Sequence, residues 1–370
     1  MKKQFLSVVF MFALLINTKA QDVIARQHNG QTIFHYGVQP YGDTWLQSVF
    51  NACSNGDTVY LPGVTFQCNN PVTLSTGIVL IGTGIHPDSV SVYGANLTKI
   101  IFSGSHPLYV VNGANNAEFH GITFGGSVFS VGSTAANQNV SGLKFVRCEF
   151  DEDLILGVNV QNTSSNFTIQ NCYFQSVLDI KDVQNVTVTG SVLGFGVPEG
   201  NQSTTFANCL FLNTGITGAS NSTNVLYRDN IFLYPSTGVT IISEASRFYN
   251  NLFVLGSGGT LTWGGSAVHN STDLTNNILS DVLLSPPTNN PYTQFDFEAN
   301  YHLNPQGSNY LTYRTMSTTA GEVGLFGGNP NTYWKEGVVP FNPHWRELIV
   351  PANSVNGMLN ISLKAAAQTY

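Results

Sequence analysis

From about residue 116 the chain repeats one short phrase in which apolar and polar positions alternate. It reads NAEFHGITF at 116–124, VSGLKFVRCEF at 140–150, NFTIQNCYF at 166–174 and NVTVTGSVL at 185–193. TTFANCLF (204–211), LYRDNIF (226–232), RFYNNLF (247–253) and DLTNNIL (273–279) continue it. Successive phrases end 18–26 residues apart, about 22 on average, which is the period of a solenoid. Alternating β-branched and aromatic residues predict strands, not helices. Five positions before each end stand Phe119, Phe145, Ile169, Val188, Phe206, Tyr227, Phe248 and Leu274, an apolar column that must face inward. Three before the end stand Asn171, Asn208, Asp229, Asn250 and Asn276, with Gly121, Arg147 and Gly190 in the other copies. Asn and Asp tolerate a left-handed backbone, so this column predicts a sharp bend between strands, with side chains able to bond along the axis.

Two before the end stand Cys148, Cys172, Cys209, Asn230, Asn251 and Asn277. Coils stacked about 4.8 Å apart hold side chains in register too far apart for a disulfide. These three cysteines are therefore expected as buried thiols, and a straight ladder cannot surround a zinc ion. Cys53 and Cys68 lie outside the ladder and are the pair placed to form a bridge. One position before each end, a column that should face outward runs Val192, Leu210, Ile231, Leu252 and Ile278. An apolar stripe of that length needs a cover, and the segment after the repeat is expected to pack along it or over the last coil.

A solenoid must also hide its ends. In residues 43–53, Trp45, Leu46, Val49, Phe50 and Cys53 share one face at helical spacing, with Asp43 placed to cap the helix; this predicts an N-terminal cap. After about Pro286 the periodicity stops, and aromatic residues dominate 292–347. At the other end of the chain, Lys2 and Lys3 precede an apolar run at 5–16, followed by Thr18, Lys19 and Ala20. That is the pattern of a secretory signal cut near Ala20, and the run is shorter than the roughly 20 residues that span a bilayer. The expected division is signal peptide 1–20, lead-in 21–42, capped β-helix 43–288 and C-terminal tail 289–370.

Composition narrows the function. Charged residues make up 9% of the chain and its formal charge is −7, while hydrophobic residues reach 42%. So acidic a chain, with so few cations, lacks the electrostatic footprint for nucleic acid. No later stretch is long and apolar enough to span a membrane. A secreted or cell-surface location follows from the signal.

The helix at 43–53, then SNGDTVYLPGVTF and VTLSTGIVLIGTG (72–84), with the later NCYF and NCLF phrases, resembles the opening and the coil repeat of the pectin-lyase-like superfamily. The resemblance covers roughly residues 40–285 and implies an all-β fold, a right-handed parallel β-helix. Together with the secretory signal and the tail aromatics, it points to a polysaccharide or cell-surface glycan as partner. It does not carry over an activity. The WIDH-like and RxPxxR-like phrases of pectate lyases are absent, as are the NTD, DD, GHG and RIK motifs of galacturonan hydrolases.

The densest ionisable set is Lys144, Arg147, Glu149, Asp151, Glu152 and Asp153, followed by Asp179, Lys181 and Asp182. Arg147, Glu149, Asp151, Asp153 and Lys181 are the candidate catalytic residues, since a Lys or Arg side chain in its neutral form beside metal-bound uronate can remove a ring proton. No cofactor is required, but Asp151, Glu152 and Asp153 offer oxygens of the kind that bind calcium. The same residues also fit a solvated turn, with Lys144 paired to Glu118 on the preceding coil. Tyr333, Trp334 and Trp345 are candidates for stacking on sugar rings, or for closing the solenoid end. A polysaccharide binder or divergent lyase or hydrolase is one reading; a non-catalytic adhesive scaffold is the other. Ice binding would need long threonine ladders, and Thr187/Thr189 and Thr260/Thr262 read as isolated.

Overall fold

The computed structural model describes residues 22–37, 41–85, 97–104, 107–127, 129–131, 139–156, 164–180, 183–195, 202–213, 225–235, 238–243, 246–269, 273–318, 321–328, 334, 344–349 and 362–366. The proposed signal segment, Lys181 and Tyr333 lie outside the described residues. The chain winds into a parallel β-solenoid of about eight turns. Its first sheet runs from Thr58–Tyr60 through Glu118–His120, Lys144–Val146, Ser165–Gln170 and Gln184–Thr189 to Val268–His269, every neighbour parallel. A hairpin, Val23–His28 with Gln31–Tyr36, adds two antiparallel strands at its start. The second sheet runs from Thr65–Cys68 through Thr123–Gly125, Glu149–Phe150 and Tyr173–Asp179 to Leu274–Asn276. A third strip joins Val72–Leu74, Leu108–Val110, Phe129–Val131 and Leu154–Ile155 to the far half of Tyr173–Asp179.

Register follows the columns read from the sequence. Phe119, Phe145, Ile169, Val188, Phe206, Tyr227 and Phe248 pair in succession, and all seven are buried. Aromatic rings therefore stack at the coil rise. Phe119 and Phe145 lie 5.0 Å apart at 10°, and Phe150 and Phe174 lie 5.0 Å apart at 4°. The bend column is left-handed throughout: Gly121, Arg147, Asn171, Gly190, Asn208, Asp229 and Asn250 all have φ between 52° and 61°. Arg147 is the costly member, because its Cβ crowds the backbone there. A second left-handed position recurs five residues before the bend in five coils, at Asn116, Gly142, Asn166, Asn185 and Ser203, ahead of the first-sheet strand or at its second residue.

Hydrogen bonds along the axis form mainly in the adjoining column. Asn251 Oδ1 accepts from Asn230 N at 3.1 Å and Nδ2 at 3.0 Å, and Asp273 Oδ1 accepts from Asn251 N at 2.8 Å. Here the expected register of the last phrase is corrected. Asp273, not Asn277, occupies the ladder; Leu274 pairs with Leu252, and His269, not Leu274, lies opposite Phe248. Leu279 instead starts the short helix Leu279–Val282, and Ile278 is exposed. The cause is the strand Thr260–Gly265, whose Trp263 stacks on His269 at 4.3 Å and meets Phe248 and Phe253, ending the aromatic columns early.

The helix Asp43–Ala52 sets Leu46, Val49 and Phe50 against the solenoid core. Asp43 does not cap it through its side chain; Gly42 is the N-cap, and the Asp43 carboxylate accepts from Asn69 N and Asn70 Nδ2, each at 3.0 Å. All five cysteines are free thiols, so there is no Cys53–Cys68 bridge. The Cys53 thiol donates to the Val49 carbonyl, one helical turn back, at 3.1 Å.

Val192, Leu210, Ile231 and Leu252 are buried on the outer face of the second sheet. They share a cluster with Leu283, Tyr301, Leu303, Tyr313, Val323, Leu325 and Trp334. The covering segment is less irregular than its sequence suggests. Leu283–Ser285 pairs antiparallel with Asn300–Leu303, and a short helix spans Tyr310–Thr315. The cover is fastened at the bend column. Asp229 accepts from Thr318 N at 2.8 Å and from the Thr318 hydroxyl, and Gly324 N donates to the Asp229 carbonyl at 2.8 Å. Gly327 approaches so closely that a Cβ would collide with the Glu322 carbonyl and the Asn208 amide.

Candidate functional site

One column on the outer face of the second sheet changes character along the solenoid. Thr65, Lys99, Thr123, Glu149 and Tyr173 occupy it in successive coils, followed by Val192, Leu210, Ile231 and Leu252. The apolar half lies under the C-terminal segment, whose edge reaches Tyr173; in the polar half Thr123 and Glu149 are buried and Lys99 is half-buried. Strand alternation puts Glu149 and Tyr173 outward because Phe150 and Phe174 fill the core.

Two carboxylates meet on this face. Gln175 Nε2 donates to Glu149 Oε1 at 2.8 Å and to Asp151 Oδ1 at 2.9 Å. Thr123 Oγ1 donates to Glu149 Oε2 at 3.0 Å. Burial raises the proton affinity of Glu149 and the Asp151 charge adds to it, while the Gln175 and Thr123 bonds and Lys99 act the other way. Asp151 is raised as well, by burial first, with Lys99 opposing and Glu152 reinforcing. Each carboxyl thus holds its proton above the ordinary range. Because one amide nitrogen bonds both, the two bonded oxygens lie within about 6 Å of each other.

The remaining candidates separate. Asp153 accepts from Ser176 Oγ at 2.5 Å and Val177 N at 3.0 Å, which ties it to the next coil. Glu152 is exposed. Arg147 occupies the corner between the sheets, buried, and burial lowers its pKa to about 10. Lys144 faces out from the first sheet, 3.4 Å from Glu118 as the register required. A coil visits every side of the solenoid within some two dozen residues, so charges dense in sequence scatter over different faces. Among the described residues, no group of three or more His, Cys, Asp or Glu side chains could hold a metal ion.

Lys99, Thr123, Tyr173 and Gln175 were missed from the sequence, though the repeat contained the signal. One coil before or after Glu149 gives Thr123 or Tyr173, and one coil after Asp151 gives Gln175. Tyr173 joins the polar patch to an aromatic wall. Its ring lies 5.1 Å from Phe295 and 5.8 Å from Phe297, and its hydroxyl oxygen accepts a hydrogen bond from the Phe295 backbone N–H. Burial, with Glu149 nearby, pushes Tyr173 up to about 12. Trp334 corrects an expectation: it is buried, 5.4 Å from Phe295 and 6.2 Å from Phe297, so its ring is part of the packing and not a platform for sugar. Trp345 lies in the strand His344–Ile349, paired with Ser362–Ala366; its side chain is outside the description. Thr187 is less isolated than it reads, since Thr168, Thr187 and Thr205 stand in register on the first sheet.

Beside the aromatic wall is a cavity of about 410 Å³, lined by Thr288, Asn289, Gln294, Phe295, Asp296, Phe297 and Glu298. Compared with known proteins, the chain matches no family model, no curated protein and no solved structure.

Proposed function

We propose that this is a secreted, polysaccharide-associated β-helix protein of pectin-lyase-like type, which holds a glycan on the polar half of its second sheet. The observation that carries this reading is the Gln175 amide joining Glu149 and Asp151 next to the Tyr173–Phe295–Phe297 wall. Sugars present hydroxyls that both donate and accept, and a ring face of C–H groups. Carboxyls, an amide and an ammonium beside aromatic rings offer a partner for each.

Hydrolysis is a second reading with one observation in its favour. One Gln175 amide nitrogen bonds both carboxyls, a proximity of the kind paired glycosidase carboxyls need, and both are raised in the sense a general acid needs. A non-catalytic adhesive scaffold is the alternative if no glycan is engaged.

The test is a panel of acidic and neutral polysaccharides offered to the secreted protein with and without Ca²⁺. Retention, new reducing ends and unsaturated-product absorbance are read together. Retention without product supports binding, new reducing ends support hydrolysis, and unsaturated product makes the protein a lyase. A calcium requirement would restore the Asp151, Glu152 and Asp153 oxygens as ligands. Neither retention nor product across the panel contradicts the proposal and leaves the scaffold.

A further inference from the structure

The 410 Å³ cavity beside the aromatic wall has its own chemistry. Its residues alternate along one short stretch: Gln294, Asp296 and Glu298 are exposed, while Phe295 and Phe297 are half-buried. The two phenylalanines are fixed. Phe295 stacks on Tyr301 at 5.0 Å and 17°, Phe297 meets it edge-on at 5.0 Å, and Trp334 lies against both. Tyr301 also accepts a hydrogen bond from Asp296 N at 3.0 Å, and Asp296 Oδ1 accepts from Glu298 N at 2.9 Å. The backbone carrying the cavity wall is thereby held from within, the preorganisation a binding site needs.

We infer that this cavity is a subsite for one uncharged pyranose unit of a polysaccharide. The inference rests on the glycan-binding reading and adds both place and sugar class. Phe295 and Phe297 supply the apolar surface for the C–H face of the ring. The Asp296 and Glu298 carboxylates accept from ring hydroxyls, and the Asn289 and Gln294 amides and the Thr288 hydroxyl donate and accept. Among the described residues no Lys or Arg lines the cavity, while two carboxylates do, in a chain of formal charge −7. A uronate carboxylate placed there meets the like charge of Asp296 and Glu298, so the subsite selects against acidic sugars. This choice runs opposite to the uronates suggested by the sequence resemblance.

The experiment titrates the purified protein with cellohexaose, laminarihexaose and hexagalacturonate by calorimetry. Phe297→Ala, the double variant Asp296→Asn/Glu298→Gln, and Glu149→Gln are compared with the parent. One neutral hexaose is expected to bind and hexagalacturonate not to bind at matched concentration. Phe297→Ala should weaken the neutral ligand at least tenfold. Phe297 packs on Tyr173 and Trp334, so that variant can also loosen the cover; the double variant changes only exposed side chains and decides the matter. It should weaken the neutral hexaose about tenfold and narrow the preference over hexagalacturonate. Unchanged binding in the double variant overturns the subsite, and if Glu149→Gln then abolishes binding, the glycan-binding reading survives without it. Preference for hexagalacturonate overturns the sugar class. Failure of all three ligands, together with failure of the polysaccharide panel, overturns both readings.

Discussion

Replacing Asn251 by Ala tests whether the buried polar ladder holds adjacent coils together. Asn251 is fully buried. Its Oδ1 accepts from Asn230 N at 3.1 Å and Asn230 Nδ2 at 3.0 Å, and its Nδ2 donates to the Tyr227 carbonyl at 3.0 Å. Truncation removes one partner from each of three polar groups that water does not reach. The Asn230 amide keeps a bond to the Phe206 carbonyl at 3.1 Å, so its loss is partial. At about 1–3 kcal/mol for each group left without a partner, the expected cost is about 4 kcal/mol. That is a large share of the 5–15 kcal/mol typical of a folded domain. Urea denaturation followed by tryptophan fluorescence reads it, with Thr187→Ala on the exposed face of the first sheet as control, expected within about 0.5 kcal/mol. A loss below about 1 kcal/mol for Asn251→Ala would refute the reasoning, because the three groups would then have found other partners.

Other outcomes follow from the same geometry. Ile231→Ala removes the contact under Gly324 and should cost about 2–5 kcal/mol while raising the rate of limited proteolysis near residue 290; an unchanged cleavage rate contradicts the buried stripe. Glu149 has a raised folded-state pKa, so the folded state binds its proton more tightly than the unfolded state, and stability falls as pH rises from the ordinary glutamate value through the raised one. Glu149→Gln should flatten that part of the profile, and an identical slope in parent and variant would count against it. Burial pushes Cys53 up to about 11, which leaves about one thiolate in a thousand at pH 8. Native alkylation should therefore be slow and all five thiols should react after unfolding, whereas a Cys53–Cys68 crosslinked peptide in a non-reducing digest would contradict the free thiols. Asn250 has a φ of 58°, so Asn250→Val should cost more than Asn250→Gly, by about 1–2 kcal/mol in thermal unfolding.

The solenoid was legible because its register is set by side chains that recur in sequence. An apolar residue that must face inward, most often Phe, marks each coil, and Asn, Asp or Gly marks each bend but the one at Arg147. The last phrase misled because DLTNNIL reproduces both marks, while pairing is decided by backbone length. Val268–His269 had already taken the first-sheet position, and Trp263 had closed the aromatic columns. The second left-handed position was missed because Asn116, Gly142, Asn166, Asn185 and Ser203 share a backbone state and not a residue type. The candidate site was only half legible. Glu149 and Asp151 stood out as charges, but Thr123 and Gln175, which hydrogen-bond to them, come from neighbouring coils. Trp334 misled for the opposite reason: nothing local distinguishes an aromatic that closes a core from one that meets a ligand, and here its neighbours come from 295–297.

The most direct test of the account is hydrogen–deuterium exchange on the purified protein, with and without the polysaccharide it retains best. The account predicts slowed exchange in peptides covering 149–151, 173–175 and 288–298, with the first-sheet face at 165–189 unchanged. Protection on the first sheet alone, or none on the second, would contradict it.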